Sequence, residues 1–497
     1  MIRNRVFLYL AILAAAAAAA SSHADAIENA WGAAGTIVGA LPSVKVLAAI
    51  AAGLVVLSLV PFGQRRAKKA QPKTRVAFKQ EESAAVADRV NAICSEQIPD
   101  IPLLVDYTIF QAIVAGASDI HFDPGRDDIA LRYRVQGMMN DVAVIPGALA
   151  SSIVNRLKVL SNLVIYRGAL PQDGRIGHSV EDREALDRSG LATADFRIAF
   201  MPTLHGERIV IRILGRGDGL ADLAELGMAE HERRTMQRLL EQPQGMVVLT
   251  GPTGSGKTTT IYAALRAIKG HNESVRSIAT LEDPIEYDLE DINQSQVDEA
   301  KDFTFDKGLR AILRQDPDVI MIGEIRDPET VRIAIQAGMT GHLIITTVHA
   351  GSTAAAFSRL LELGVAPYSL NSSVTAVIAQ RLVRQLCPGC RRERGLTEHD
   401  QNDLGFATPP PNFKVYTGSG CDQCQKSGYK GRTAIFEILE VTELIRSIVT
   451  DGASTDAIRT VSRESGMRTL HEAGLEAIRT GVTTPEEIAR VITKDDR

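Results

Sequence analysis

The sequence predicts an α/β protein: a mixed α+β domain, then a largely parallel sheet, with a membrane segment ahead of both and a small metal-binding lobe near the end. Three observations predict this. From Met246 onward, apolar strand patterns alternate with helical ones, the strands falling at Met246–Thr250, Ser277–Leu281, Val319–Ile322 and Leu343–Val348. That rhythm is the one by which β-α units build a parallel sheet. Two CxxC pairs, Cys387 with Cys390 and Cys421 with Cys424, have the spacing of metal ligands. An apolar stretch densest from Val46 to Phe62 is followed directly by a basic cluster.

The length of 497 residues allows two to four domains. Aromatic residues are only 5%, too few for platforms that stack single-stranded nucleic acid, and a net charge of −5 gives no field that attracts a polyanion. Nucleic acid is therefore not an expected partner. Of the five cysteines, only Cys94 stands outside the CxxC pairs, and it reads as a small packed side chain, not a nucleophile.

At the N-terminus, two arginines precede an unbroken apolar run from Val6 to Ala20, and small-x-Ala sites follow at residues 22–26, the pattern of a signal peptide. The stretch Val46–Phe62 is at the lower length limit for a membrane-spanning helix, and apolar residues before Lys45 extend it. Arg65, Arg66, Lys68, Lys69, Lys73, Arg75 and Lys79 come next, whereas no Lys or Arg lies between Val6 and Val44. The positive-inside rule then puts everything after Phe62 in the cytoplasm. A two-helix hairpin and a cleaved signal followed by one anchor both fit; a pair of buried helices in a soluble domain is the alternative. The expected divisions are a signal-like and transmembrane segment at 1–62, a basic linker and helix at 63–100, an α+β domain at 101–225 and the α/β domain at 226–497, with the cysteine lobe at 387–424.

Within the α+β part, helical spacing is expected for Ser83–Gln97, Leu103–Ala115 and Ser151–Leu163, and strands for Ile129–Val135, Phe196–Phe200 and Arg208–Leu214. The segment Leu404–Phe413, with three consecutive prolines, reads as a loop.

The run from Gly251 to Thr258 matches GxxxxGK[ST], between an apolar strand and a helix expected from Thr259 to Lys269. Glycines let backbone amides wrap phosphates, and the helix N-terminus adds favourable partial charge. Gly251, Pro252, Thr253, Gly254, Ser255, Gly256, Lys257, Thr258 and Thr259 are thus the expected nucleotide contacts, with Lys257 reaching the β- and γ-phosphates of ATP and the Thr258 hydroxyl ligating Mg²⁺. Glu324 ends the strand Val319–Ile322 and is placed to orient an attacking water; the plainer reading is that it pairs with Arg326. Glu282 and Asp283 end another apolar strand and suit Mg²⁺ coordination through water. His342 and His349 bracket Leu343–Val348, so either can reach a phosphate or the catalytic carboxylate. The four paired cysteines suit a closed tetrahedral Zn²⁺ site; two separate redox dithiols are the alternative.

These residues resemble a known family. Arg310–Asp327 (RAILRQDPDVIMIGEIRD) is similar to the Walker B region of the type II secretion and type IV pilus assembly ATPases. Thr280–Glu286 (TLEDPIE) resembles their Asp box, Gly341–His349 (GHLIITTVH) their His box, and Gly116–Pro124 (GASDIHFDP) and Pro171–Ile176 (PQDGRI) the motifs of their N-terminal half. The cysteines match the assembly branch. The resemblance implies a homohexamer with RecA-like P-loop ATPase domains, each preceded by a PAS-like domain. It also implies that arginines at positions matching Arg197 and Arg212, with Arg175 less closely matched, act on the phosphates. The expected function is a motor that drives an inner-membrane platform protein; a conjugation-type motor and a membrane-tethered ATP sensor are the alternatives. Such ATPases usually begin with a soluble docking domain, and this chain departs from them before residue 100.

Overall fold

The computed structural model describes residues 83–166, 170–176, 195–214, 222–270, 276–406, 408–411, 413–450, 452 and 454–492. The membrane segment and most of the basic linker expected from the sequence lie outside these residues. Among the described residues no helix is long and apolar enough to cross a membrane.

Two sheets organise the chain. The first contains β1 (Ala117–Pro124), β2 (Asp128–Val135), β3 (Met138–Pro146), β4 (Gln172–Ile176), β5 (Asp195–Thr203) and β6 (Gly206–Leu214), in the order β3-β2-β1-β6-β5-β4 with every pair antiparallel. Helices α1 (Ser83–Cys94), α2 (Ile101–Val114) and α3 (Ala150–Leu160) supply apolar side chains to its core, including Val90, Leu104, Ile109 and Leu157. Asp100 caps α2 by accepting from the Leu103 amide at 3.0 Å, and Pro102 sits in the first turn where no amide partner is lost. The helix α3 stops three residues earlier than its apolar spacing suggests. Ser161 turns its hydroxyl back to the Leu157 carbonyl at 2.7 Å, and Asn162 takes a left-handed backbone conformation. Lys158 is fully buried and forms an ion pair with Glu207 at 2.8 Å, which joins α3 to β6.

The second sheet contains β7 (Gly245–Thr250), β8 (Ile278–Glu282), β9 (Asn293–Gln296), β10 (Val319–Ile322), β11 (Leu343–Val348), β12 (Val374–Leu386) and β15 (Tyr429–Glu440). Its order is β15-β12-β7-β11-β10-β8-β9, parallel throughout except for the β12–β15 pair. Alternate residues feed two separate cores. Met246, Val248, Ile320 and Ile322 pack on one face; Val247, Leu249, Val319 and Met321 pack on the other. Both faces are thus covered, as a parallel sheet requires, and the strands read as continuous apolar runs for that reason. Helix α4 (Glu230–Leu240) and the long α5 (Lys257–Gly270) contribute to one face. Helices α6 (Phe305–Ile312), α7 (Pro328–Met339), α8 (Thr353–Glu362) and α9 (Pro367–Ser373) contribute to the other.

Between β12 and β15 the chain makes a small two-stranded sheet, β13 (Arg391–Arg394) with β14 (Val415–Gly418), and the short helix α10 (Glu398–Leu404). That helix carries the first residue of the segment read as a loop; Gly405, in the left-handed region, ends it. Four helices, α11 (Glu443–Thr450), α12 (Thr455–Glu464), α13 (Leu470–Arg479) and α14 (Pro485–Val491), complete the described chain.

Candidate active site and cysteine cluster

The C-terminal ends of four neighbouring parallel strands converge on one edge of the second sheet. β7 runs into the glycine-rich loop, β11 into His349, β10 into Gly323-Glu324, and β8 ends at Glu282. Ligand sites of open α/β sheets form at this edge, because here the strands release their loops and the helices present their N-termini.

The loop closes tightly against β12. Gly251 has φ +147°, and a Cβ there would come within 2.6 Å of the Gln380 carbonyl; at Gly256, φ +89°, it would come within 2.8 Å of Gln380 Nε2. Glycine is what lets the backbone take this path. Gln380 Nε2 donates to the Ser255 carbonyl at 2.9 Å, and its Oε1 accepts from Thr260 Oγ1 at 2.8 Å. Pro252, Thr253 and Gly254 form the exposed rim. The Ser255 hydroxyl is buried within the loop and makes no hydrogen bond to the protein. Lys257 opens α5 and curls back to donate to the carbonyls of Gly251 at 2.8 Å and Pro252 at 3.1 Å. Burial lowers its pKa, while Glu324 nearby pulls in the opposite direction. Thr258 is half-buried and Thr259 exposed at the same helix start.

Glu324 is gripped from two sides. Its Oε2 lies 3.2 Å from His349 Nε2, and its Oε1 is ion-paired with Arg326, which also approaches Asp283 Oδ2 at 3.9 Å. Glu324 thus stands at the strand end near Lys257 and pairs with Arg326. The His349 contact follows from strand order, since β11 lies between β7 and β10. His342, at the other end of β11, directs Nδ1 to the Ala337 carbonyl at 3.1 Å, which places it at the end of α7 and away from this edge.

Glu282 sits differently from Glu324. Only 2% exposed, it accepts from Tyr262 Oη at 2.5 Å, Thr280 Oγ1 at 2.6 Å and Gln294 Nε2 at 3.0 Å. The neighbouring Asp283 side chain is the more exposed of the two.

The three arginines that the resemblance singles out fall in one row of the first sheet. Arg175 on β4 is in register with Arg197 on β5, and Arg197 with Arg212 on β6. All three face Glu286, four residues beyond the end of β8; burial raises the pKa of this carboxyl, and Arg212, Arg197 and Arg175 counter the rise. Glu286 closes the TLEDPIE run, where nothing in the sequence assigns it a task. Gln380 was missed as well, and nothing local could have found it, because only the β12–β7 pairing brings it to the loop.

The four paired cysteines form a separate cluster. Their sulfurs all lie within 4.8 Å of one another, with Sγ–Sγ distances of 3.7 Å (Cys387–Cys421), 3.8 Å (Cys390–Cys424) and 3.7 Å (Cys421–Cys424). A tetrahedron with metal–sulfur bonds near 2.3 Å has edges of about 3.8 Å, so the geometry fits one shared ion in place of two independent dithiols. The amides of Cys421 and Gly428 donate to Cys424 Sγ at 3.2 and 3.3 Å. Burial opposes ionisation of Cys424, but these donors outweigh it and draw its thiol downward. Cys94 is half-buried against the first core, and burial raises its thiol.

Comparison with known proteins agrees with this arrangement. The family described as "Type II/IV secretion system protein" matches residues 95–490. The type II secretion system protein E of Dickeya dadantii is 42% identical over 399 residues, covering 80% of this chain and 77% of that protein. The type IV pilus assembly ATPase PilB of Pseudomonas aeruginosa is 41% identical over 404 residues, covering 81% of this chain and 69% of that one. Among solved structures, the pilus retraction motor PilT with bound ADP has a TM-score of 0.52 at 23% identity, covering 79% of this chain and 98% of that one. The Legionella pneumophila ATPase DotB has a TM-score of 0.56 at 19% identity, covering 78% and 95%. At such identities the structures speak for the fold alone.

Proposed function

This chain belongs to the type II/IV secretion system protein family, and from that premise we infer that it is an ATP-hydrolysing motor of a type II secretion or type IV pilus assembly machine. The observation that carries the reading is the convergence of the glycine loop, Glu324 and His349 at one sheet edge. The loop amides and Lys257 would hold the β- and γ-phosphates, and the Thr258 hydroxyl would supply a ligand to Mg²⁺. Mg²⁺, when bound there, neutralises phosphate charge. Glu324 orients the attacking water and receives its proton, and His349 keeps the carboxylate turned toward the phosphates. Glu282 acts through the strand end that it ties to Tyr262 and Gln294, and Asp283 presents the second carboxylate. Arg197 and Arg212 stabilise charge on the γ-phosphoryl group, with Arg175 beside them.

The remaining assignments belong to the same reading. The first sheet with α2 and α3 is a PAS-like domain ending near residue 225, and the second is the RecA-like ATPase domain. Cys387, Cys390, Cys421 and Cys424 hold one structural Zn²⁺. The active form is a homohexamer that moves an inner-membrane platform protein, with residues 1–62 in the membrane and the catalytic parts in the cytoplasm. Phosphate release by the full-length chain in detergent tests the central claim. Steady turnover that Lys257→Ala abolishes is expected; an assembled hexamer that binds ATP without releasing phosphate would instead mark a sensor.

A further inference from the structure

The arginine row contains an acid that no step above uses. Asp119 on β1 is in register with Arg212 on one side and with Arg134 of β2 on the other. Across five strands the row reads Arg175, Arg197, Arg212, Asp119, Arg134. Like charges directly opposite one another on neighbouring strands repel, so three successive arginines need a partner that holds them in place. Asp119 is 6% exposed. Its Oδ1 accepts from Arg212 Nε at 3.0 Å; its Oδ2 accepts from Ser118 Oγ at 2.8 Å and lies 3.6 Å from Arg134 Nε. A register shift between Ala117 and Asp119 brings this carboxylate opposite Arg134, the kind of irregularity by which a strand re-aims a side chain beside a site.

The bond to Arg212 is made at Nε, the nitrogen next to the aliphatic stem. The two terminal nitrogens, which fork onto phosphate oxygens, take no part in it. We propose that Asp119 is a positioning residue for phosphoryl transfer: it fixes Arg212 by the stem side of its guanidinium, so the terminal nitrogens stand in line with Arg197 and Arg175 before substrate arrives. The inference rests on the reading that Arg212 acts on the phosphates. Its physical basis is pre-organisation, since a donor already aimed costs no reorganisation when charge develops.

A double-mutant cycle on the full chain tests it, with kcat and KM for ATP, binding of a fluorescent ATP analogue and Tm measured throughout. Asp119→Asn is expected to lower kcat by roughly 10- to 100-fold, the scale of a misplaced catalytic group, with nucleotide affinity held within about twofold. Arg212→Ala is expected to lose at least as much, and the double variant to be no slower than Arg212→Ala, because nothing is left to position. Asp119→Glu keeps the charge and should recover part of the loss. Arg212→Lys keeps a cation but lacks Nε, and should be slow even if Asp119→Asn fails to fold. Normal turnover in Asp119→Asn or Arg212→Lys beside a slow Arg212→Ala overturns the positioning role, as do losses that multiply in the double variant. Normal turnover in Arg212→Ala overturns the reading of Arg212 itself.

Discussion

Glu324 stands at the crossing of three influences: His349, Arg326 and the ammonium of Lys257. A carboxylate so held keeps its orientation but not its freedom, which suits the water-aiming role proposed for it. Glu324→Gln preserves size and leaves the phosphate cradle intact while removing the proton acceptor. We therefore expect Glu324→Gln to bind ATP within about twofold of the unmutated chain and to lose hydrolysis by about 100-fold or more. Single-turnover phosphate release beside equilibrium binding checks this, and turnover within about twofold of normal would remove Glu324 from the mechanism. Arg326 has a different standing. It is 60% exposed, and its hydrogen bond to Glu324 raises its own pKa, so it stays charged throughout the working range.

At the scale of elements, the glycine loop and the cysteine lobe solve the same problem, a tight turn aimed at a charge, with different chemistry. In the lobe, Gln425 and Lys426 both take left-handed backbone angles, which wraps the second CxxC turn around its sulfurs. Leu404 and Val415 tie the β13–β14 part of the lobe into a core shared with α13 and α14, whereas the end that carries the CxxC turns has mainly its own sulfurs to pack. A metal bound by the four cysteines would supply folding energy to that end. One equivalent of Zn²⁺ per chain is the expected metal analysis. Cys387→Ser should lower the Tm and release the ion while leaving ATP affinity within about twofold; a folded, metal-free chain of unchanged Tm would refute the structural role. Both features were plain in the sequence, because each is a local pattern whose spacing is its geometry. The strands of the parallel sheet were legible for a related reason: burial on both faces leaves unbroken apolar runs such as Val319–Ile322. What depends on strand order was not legible. Nothing near His349 says that β11 lies beside β10, nothing near Gln380 says that β12 lies against the glycine loop, and the arginine row exists only once three strands are in register. The end of α3 was also misjudged, since Ser161 and Asn162 override an apolar pattern that runs on past them.

At the scale of the whole molecule, the proposed anchor decides where the motor works. The proposed tether at residues 1–62 would hold the catalytic domains at high local concentration beside a membrane platform, and the seven basic residues from Arg65 to Lys79 would favour anionic headgroups. The full-length chain should therefore fractionate with membranes and resist extraction by salt. A chain lacking residues 1–62 should be released and still bind ATP. Recovery of the intact full-length chain in the soluble fraction at low salt would refute the anchor.

One strand joins the two halves of the chemistry. β12 is 13 residues long and stays paired with β15 from Ala376 to Leu386, with one register shift after Arg384. Gln380 braces the glycine loop, Arg384 grips the buried Glu487, and Cys387 follows at the strand's end. Between Gln380 and Cys387 an extended chain advances about 23 Å. A strand that is already extended and laced to its neighbour has little slack apart from that one shift. It would act as a tie-rod: a displacement of the nucleotide loop would pass along the strand toward the cysteine lobe. A movement at the phosphates would thus be felt some distance from them, along a single strand.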